Sequence, residues 1–308
     1  MKGEQRMRIE ILLSTWNGEK YLPAQLDSLL GQEYEDFHIT VRDDGSTDGT
    51  AGILAEYAER SPEKITVLPT GKKLGYPDCF WTLLEQAGGA EMYAFCDQDD
   101  VWDRQKLKCC AEMCAESAGE PILYVHDYRI CDGELKPYAE HHLAEDGYDP
   151  GNPLMLEYYV MAPGFTMVLS EALRKRVIRD ELQGKRIEHD RWLFWCGHFA
   201  GRIVSDSRTL VDYRRHGDTA TQTGKSISPM LKEWWQEDIK GERMKRWSRT
   251  AQYFADCYGG EMGEGIEGMW RRAAGTEGYF GRMFFPGRLK PTIAGEIALR
   301  ACFMLNKK

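Results

Sequence analysis

The sequence predicts an α/β protein: a mostly parallel sheet covered by helices, followed by a C-terminal helical appendage. Three observations carry this. Short β-type runs alternate with helical periodicity through the first third, an order that implies right-handed crossovers and parallel pairing. Acids and hydroxyls collect at the ends of the predicted strands. Beyond about Ser226 the composition shifts to Trp234, Trp235 and Trp247 among scattered Lys and Arg.

Ile9 to Ser14 reads as a buried strand, and Leu22, Leu26, Leu29 and Leu30 then fall on one helical face, with Pro23 tolerated in the first turn. His38 to Arg42 is the next strand, Asp43 to Thr50 a turn, and Ile53, Leu54, Tyr57 and Ala58 recur at helical spacing. Ile65 to Leu68, Met92 to Cys96 and Ile122 to His126 are further strands, with helices between them around Phe80 to Ala87 and Gln105 to Ala115. Gly133 to Pro153 is polar and rich in Gly, Pro, His and Asp, as a long loop is, and His141-His142 reads as loop surface. Tyr158 to Ser170 reads as a strand bent at Pro163-Gly164, where backbone can approach a ligand. Glu188 to Phe199 is helical, with apolar bulk from Trp192, Leu193 and Trp195, and two short strands, Arg202 to Val204 and Thr209 to Tyr213, follow. The expected division is a catalytic domain over 1–224 and a helical appendage over 225–308.

The 308 residues, 42% hydrophobic and 29% charged, suffice for one large core or two modest ones. A net charge of -9 argues against a nucleic-acid partner held by a broad basic surface. From Arg271 to Lys308, eight Lys or Arg against two Glu give a local excess of +6 and leave -15 for the rest. That basic tail carries Met283-Phe284-Phe285-Pro286 and Ile297, Leu299, Cys302 and Phe303. It suits peripheral contact with an anionic membrane surface, and a helix packed on the catalytic domain suits it equally. No window reaches the roughly 18 apolar residues of a membrane span. Nine cysteines, odd in number, with Cys109, Cys110 and Cys114 crowded on one helix, read as reduced core thiols of a cytoplasmic protein without a signal peptide.

The chemistry concentrates in Phe95-Cys96-Asp97-Gln98-Asp99-Asp100-Val101-Trp102. Three carboxylates in four residues repel unless a cation or hydrogen-bond donors hold them ionised, and spaced acids of this kind can hold Mg²⁺ or Mn²⁺ against a diphosphate. The competing reading is a turn, with Asp103 capping the next helix. In parallel sheets ligands bind outside the carboxyl ends of the strands. Ser14, Thr15 and Asn17 follow the first strand, Asp43 and Asp44 the second, and Asp97 to Asp100 a third, so three strand ends can line one crevice. Neither a Walker A sequence nor GxGxxG after a strand occurs, which argues against P-loop chemistry. A base for an attacking hydroxyl is available in His189-Asp190-Arg191-Trp192, where Asp190 serves equally as a helix cap. His216, beside Arg214 and Arg215, fits a metal or diphosphate contact or a solvated turn.

These residues together resemble glycosyltransferase family 2. Ser14-Thr15-Trp16-Asn17-Gly18 with Tyr21-Leu22, Gln25-Leu26-Asp27-Ser28-Leu29, Asp43-Asp44-Gly45-Ser46-Thr47-Asp48 and Asp97-Gln98-Asp99-Asp100-Val101-Trp102 stand in the family's order and spacing across about the first 220 residues. Lys73-Leu74-Gly75, Gly164, His189-Asp190-Arg191-Trp192-Leu193 and Tyr213-Arg214-Arg215-His216 look most like its bacterial rhamnosyltransferase branch, which builds surface polysaccharides.

The resemblance implies a GT-A (Rossmann-like) fold and an inverting transfer by direct displacement. It implies a nucleotide-sugar site formed by Ser14, Thr15, Asn17, Asp43, Asp44, Lys73, Gly75, Asp97 and Gln98, with Ser14 and Asp44 by the base. Asp97 and Asp99 are the acids of its metal-binding DxD motif, His216 joins the metal or diphosphate, and Asp190 is the base. Asp100, Gly164, His189, Trp192 and Arg214 are left for acceptor contact or support.

The expected donor is dTDP-rhamnose, or alternatively a UDP-hexose or UDP-N-acetylhexosamine. The expected acceptor is a glycan or polyprenyl-linked sugar at the inner face of a bacterial membrane. Trp16, where relatives more often carry Tyr, and Arg214-Arg215 before the His, where Arg-Gln is commoner, depart from the pattern in substrate detail. A catalytically silent nucleotide-sugar-binding scaffold is the rival from another class; its sign is a missing DxD acid or base, and Asp97, Asp99 and Asp190 are all present.

Overall fold

The computed structural model describes residues 7–117, 119–143, 152–158, 162–216, 242–263, 265–275, 287–290 and 292–305. The chain divides into two compact units, one of Met1–Leu143 with Ala162–His216 and one of Ala144–Met161 with Gly217–Lys308.

The first unit is built on one sheet. Strands β1 (Ile9–Thr15), β2 (Phe37–Asp43), β3 (Ile65–Val67) and β4 (Met92–Cys96) alternate with helices α1 (Leu22–Leu30), α2 (Thr50–Arg60) and α3 (Asp78–Gln86). Their sheet order is β3-β2-β1-β4, all parallel. Ile11, Leu13, Ile39, Val41 and Ala94 supply the core, a run of apolar residues as expected of strands covered on both faces. Helix α1 buries Leu22, Leu26 and Leu29 on the face predicted for it and carries its proline in the first turn.

Beyond β4 the sheet becomes mixed. Strand β5 (Val101–Trp102) is followed by α4 (Lys106–Cys114), β6 (Ile122–Cys131), β7 (Pro137–His141), β8 (Met167–Ser170), α5 (Glu171–Val177), α6 (His189–Phe199) and β9 (Arg202–Arg214). The order continues β4-β8-β6-β9-β5, with β8 antiparallel to both neighbours, β9 parallel to β6 and β5 antiparallel to β9.

Three expectations are corrected here. The polar stretch expected as a long loop contains β7, which pairs with β6; Asp132 accepts hydrogen bonds from the Glu134 and Lys136 amides (2.9 and 3.0 Å), so a short polar turn closes a hairpin. Residues 144–151 of that stretch lie outside the described residues. His141 therefore ends a strand, with its ring stacked on Tyr128 at 4.6 Å, and His142 Nδ1 lies 2.7 Å from an Asp127 carboxylate oxygen.

Within the expected bent strand, Gly164–Thr166 forms a 3₁₀ turn before β8, and residues 159–161 lie outside the described residues. The two short strands expected near the end are one strand, β9. Its polar middle stays in the sheet because Arg208 and the Tyr124 hydroxyl satisfy the Asp206 carboxylate (2.6 Å each), and the register shifts beside it.

In the second unit, α7 (Arg243–Met262), α8 (Ile266–Ala273) and α9 (Ile293–Leu305) are helical, as expected of the appendage. Trp270 is fully buried, its indole donating to Ala251 O at 2.9 Å, and Phe254 stacks on Tyr258. On α9, Leu299, Cys302 and Phe303 are buried while Ile293 and Ile297 are exposed. Trp234, Trp235 and Met283 to Pro286 lie outside the described residues. Among the described residues, no helix is long and apolar enough to cross a membrane. Among the described residues the nine cysteines are thiols outside any disulfide, and Cys109, Cys110 and Cys114 are buried as expected.

Candidate functional site

Strand register brings the polar strand ends to one edge of the sheet. Thr15 pairs with Asp43 and Leu13 with Cys96, so the residues after β1, β2 and β4 emerge side by side. The first two loops are then tied to each other. Asp43 accepts from the Thr15 hydroxyl (2.9 Å), the Ser46 amide (2.9 Å) and the Ser46 hydroxyl (2.5 Å). Asn17, held at φ 48, gives its amide to Ser46 Oγ and accepts from Thr47 N, both at 2.8 Å. Left-handed backbone is a conformation that asparagine tolerates, and the two bonds hold it there. Thr15, Asn17 and Asp43 thus shape the two loops, and Ser14 bonds to Cys79 of α3.

Asp44 is nearly fully buried and is saturated by protein donors. It accepts from the Arg42 guanidinium, from Leu74 N (2.8 Å) and from Gly75 N (2.6 Å), while Arg42 also donates to Lys72 O (2.9 Å). Burial pushes this carboxyl up, but the donors outweigh it and hold it below the usual carboxylate range. The carboxylate thereby docks the loop after β3 onto the end of β2. Gly75 stands at φ 73, which favours glycine. From the same loop the Lys73 ammonium sits 3.5 Å from the ring centre of Trp16.

The acid loop is fastened on both sides. Gln98 pairs with the backbone of Trp16 in both directions, accepting from its amide at 2.8 Å and donating to its carbonyl at 3.0 Å. A β-carbon on Gly18 would meet Gln98 Oε1 at 2.3 Å, so a larger residue there displaces the Gln98 amide from the backbone of Trp16. Asp100 is fully buried and accepts from Arg214 N at 3.0 Å; its other oxygen has no hydrogen-bond partner among the described residues. Burial first, then Asp99 and Asp97, push its carboxyl far up. Arg214 also donates to Asp99 O and Gly133 O (2.8 Å each), and its guanidinium lies over Tyr21. His216 Nε2 stands 2.8 Å from the Asp99 carboxylate, its ring 4.6 Å from Tyr21, so it is a packed and paired side chain.

The crevice desolvates the Asp97 carboxyl although part of the residue meets solvent; burial, then the charges of Asp99 and Asp190, push it up to about 7. Asp103 leads into α4 by accepting from Gln105 N at 2.9 Å, while Gln105 itself is the residue before the helix. Lys106 is buried beneath the loop, donates to Phe165 O at 2.7 Å, lies 3.3 Å from the centre of the Trp102 ring and is pushed down to about 7 by burial.

The start of α6 approaches the same strand end through His189, whose ring lies 4.8 Å from that of Phe95. Glu188 is the residue before the helix and Asp190 lies in its first turn, accepting from Arg191 N at 2.7 Å. Burial, then the neighbouring charge of Glu188, raise the Asp190 carboxyl to about 6. The His189 ring is held among Phe80 (4.5 Å), Phe95 (4.8 Å) and Tyr76 (5.7 Å) and is pushed down to about 3 by burial, so it is a neutral imidazole. Gly164 lies directly against it. Trp192 is fully buried beside Trp195 and belongs to the core beneath α6.

The fold therefore brings Asp97, Asp99, Asp100, Arg214 and His216 together, and Asp97 feels the charge of Asp190 across 93 positions of chain. Arg42, Tyr76, Lys106 and Glu188 were not anticipated. A cation closing an apolar strand just before Asp43-Asp44 was the available signal for Arg42. Lys106 and Glu188 look like ordinary surface residues in sequence, and only burial distinguishes them.

The fold is an α/β sheet with acids at its strand ends and a curled, mixed second half, as in GT-A structures. The profile of Glycosyl transferase family 2 matches residues 10–177, and the chain belongs to that family. An uncharacterized glycosyltransferase of Nostoc sp. is 28% identical over 220 residues, 68% of this chain and 66% of that protein. A dTDP-rhamnosyl transferase of Shigella flexneri, RfbG, is 34% identical over 99 residues, 31% of this chain and 34% of that protein. The chain thus spans less than two thirds of the length of these relatives.

Among solved structures, S. aureus TarS 1-349 in complex with UDP-GlcNAc matches with a TM-score of 0.57 at 14% identity, covering 97% of this chain and 91% of that one. The mannosyltransferase PcManGT of Pyrobaculum calidifontis, in complex with GDP-Man and Mn²⁺, matches with a TM-score of 0.53 at 17% identity, covering 96% and 75%. At these identities the likeness is one of fold.

Proposed function

We propose that the first unit is an inverting glycosyltransferase that moves a sugar, L-rhamnose from dTDP-rhamnose in the first instance, to a glycan or lipid-linked acceptor in bacterial surface polysaccharide synthesis. The observation that supports this reading is the electrostatic interaction between Asp97 and Asp190, two carboxyls far apart in sequence that are raised to about 7 and about 6. Asp190 takes the proton of the acceptor hydroxyl as that oxygen attacks the anomeric carbon; the bond from that carbon to the diphosphate breaks, and its electron pair leaves with the diphosphate. A base that titrates near 6 is ionised at neutral pH yet basic enough to accept the proton.

The residues fit a divalent cation. Asp97 and Asp99 offer hard oxygen donors whose mutual repulsion a cation relieves, and His216 stands beside Asp99. Among the described residues no group of three His, Cys, Asp or Glu side chains can enclose an ion. Asp97 and Asp99 would hold Mg²⁺ or Mn²⁺, which would supply positive charge against the departing diphosphate.

The rhamnosyl assignment is supported by the RfbG likeness, which covers 31% of this chain. The TarS complex supports UDP-GlcNAc as the second donor to test. A panel of dTDP-rhamnose, UDP-glucose, UDP-galactose and UDP-GlcNAc, each with Mn²⁺, decides: the true donor raises the melting temperature by mass action, and a panel without any shift overturns the reading. For the second unit we propose peripheral contact with the inner face of the membrane through exposed Ile293 and Ile297. Recovery of an Ile293→Glu/Ile297→Glu variant with anionic liposomes equal to that of the parent chain removes this claim.

A further inference from the structure

Eight large hydrophobic residues are exposed among the described residues, and three of them, Trp16, Leu74 and Tyr76, belong to the two loops that meet at the mouth of the crevice. Trp16 is 49% exposed and has the Lys73 ammonium over its ring. Tyr76 is 55% exposed and makes T-shaped contacts with His189 (5.7 Å) and Phe80 (6.4 Å). A tyrosine with a purely structural role buries its ring, whereas more than half of this one remains in solvent.

Its position is nonetheless well defined. The two preceding amides, Leu74 N and Gly75 N, are docked on the Asp44 carboxylate, and the ring rests on His189, the residue next to Asp190. One loop therefore runs from the Asp44 end of the crevice to the Asp190 end, with an aromatic side chain at the second end.

We propose that Tyr76 is the platform on which the donor's sugar ring stacks, a binding residue that selects for the transferred pyranose. The proposal rests on the glycosyltransferase reading above. A pyranose has an apolar face of axial C–H groups that packs on an aromatic ring and a girdle of hydroxyls that seeks carboxylates. Tyr76 offers both demands in one place. The charges of Asp190, Glu188 and Asp97 reach its phenol, which is a hydrogen-bond donor. The sugar of a nucleotide sugar hangs between its diphosphate and the attacking hydroxyl, hence on the proposed reading between Asp97 and Asp190, the two acids whose charges act on Tyr76 from different loops. A nucleobase would need a different partner set, and none of these three acids belongs to the loops that hold Asp44.

The test compares Tyr76→Ala and Tyr76→Phe with the parent full-length chain by calorimetry, using UDP against UDP-GlcNAc and dTDP against dTDP-rhamnose, each with Mn²⁺. For the pair whose sugar nucleotide the parent chain binds, Tyr76→Ala weakens the sugar nucleotide at least fivefold more than the bare nucleotide, and Tyr76→Phe keeps the preference within about twofold. Equal weakening of both ligands assigns Tyr76 to loop shape and overturns the proposal, as does unchanged binding of both. Melting of each variant without ligand checks that an exposed side chain was removed from an intact fold. If the parent chain binds no sugar nucleotide at all, the glycosyltransferase reading fails, and that outcome is distinct from a parent that binds and a variant that does not discriminate.

Discussion

A β-carbon on Gly164 would stand 2.1 Å from Nε2 of His189, so the imidazole fills the volume that any other residue at 164 needs. His189 joins three parts of the site: Phe95 on the strand that leads to Asp97, the turn at Gly164, and Asp190 one residue on. Gly164→Ala is expected to destabilise the protein by about 1–3 kcal/mol through overpacking and to lower turnover by shifting Asp190, with nucleotide affinity retained. His189→Ala in the same chain relieves the clash, so the two losses fall short of additive. Thermal unfolding and steady-state kinetics of the single and double variants check this, and strictly additive losses count against it.

On the proposed reading, Asp190 is expected to set the acid limb of the pH profile. Its carboxyl is raised to about 6, and a base acts only when ionised, so turnover falls as pH drops through that value. Asp190→Asn is expected to abolish transfer and to leave sugar-nucleotide affinity nearly intact. Glu188→Gln removes a like charge, which makes ionisation of Asp190 easier and moves the acid limb to lower pH. A limb that stays in place in Glu188→Gln removes the electrostatic account.

Asp97 links the site to stability. Its folded carboxyl titrates at about 7 against an ordinary value of 3.8, so between these values the folded state holds more protons than the unfolded chain. Stability contributed by the protonated form is complete below about 3.8 and is lost as pH rises toward 7. Asp97→Asn avoids that loss. The variant should exceed the parent by on the order of 1–3 kcal/mol at pH 8 and match it near pH 4 in urea denaturation without added metal.

Asp100 differs in being fully buried, with its carboxyl pushed far up by burial first and then by Asp99 and Asp97. Asp100→Asn keeps the acceptor for Arg214 N and should cost less than about 1 kcal/mol, whereas Asp100→Ala leaves that buried amide unpaired and should cost about 1–3 kcal/mol. A large loss in Asp100→Asn would show that the charge itself is required. Urea denaturation at pH 7 separates the two.

Much of the catalytic unit was legible in sequence because its signals are local. An apolar run such as Met92 to Cys96 requires cover on both faces, helical spacing places Leu22, Leu26 and Leu29 on one side, and each acid group directly follows a strand. The elements that sequence misjudged depend on distant partners: β7 exists because β6 offers an edge, and β9 runs unbroken because Tyr124 and Arg208 satisfy Asp206.

Sequence alone determined the family and the strand ends at which the acids Asp97, Asp99 and Asp100 collect. Tertiary structure decided what surrounds each polar group there. It buried Asp100 and pushed its carboxyl far up, engaged Asp44 with Arg42 and the loop at Gly75, and set Gln98 on the backbone of Trp16. The physical reason is that hydrogen-bond saturation and desolvation depend on which groups meet in space, and residues such as Asp97 and Asp190 meet only after the sheet has formed.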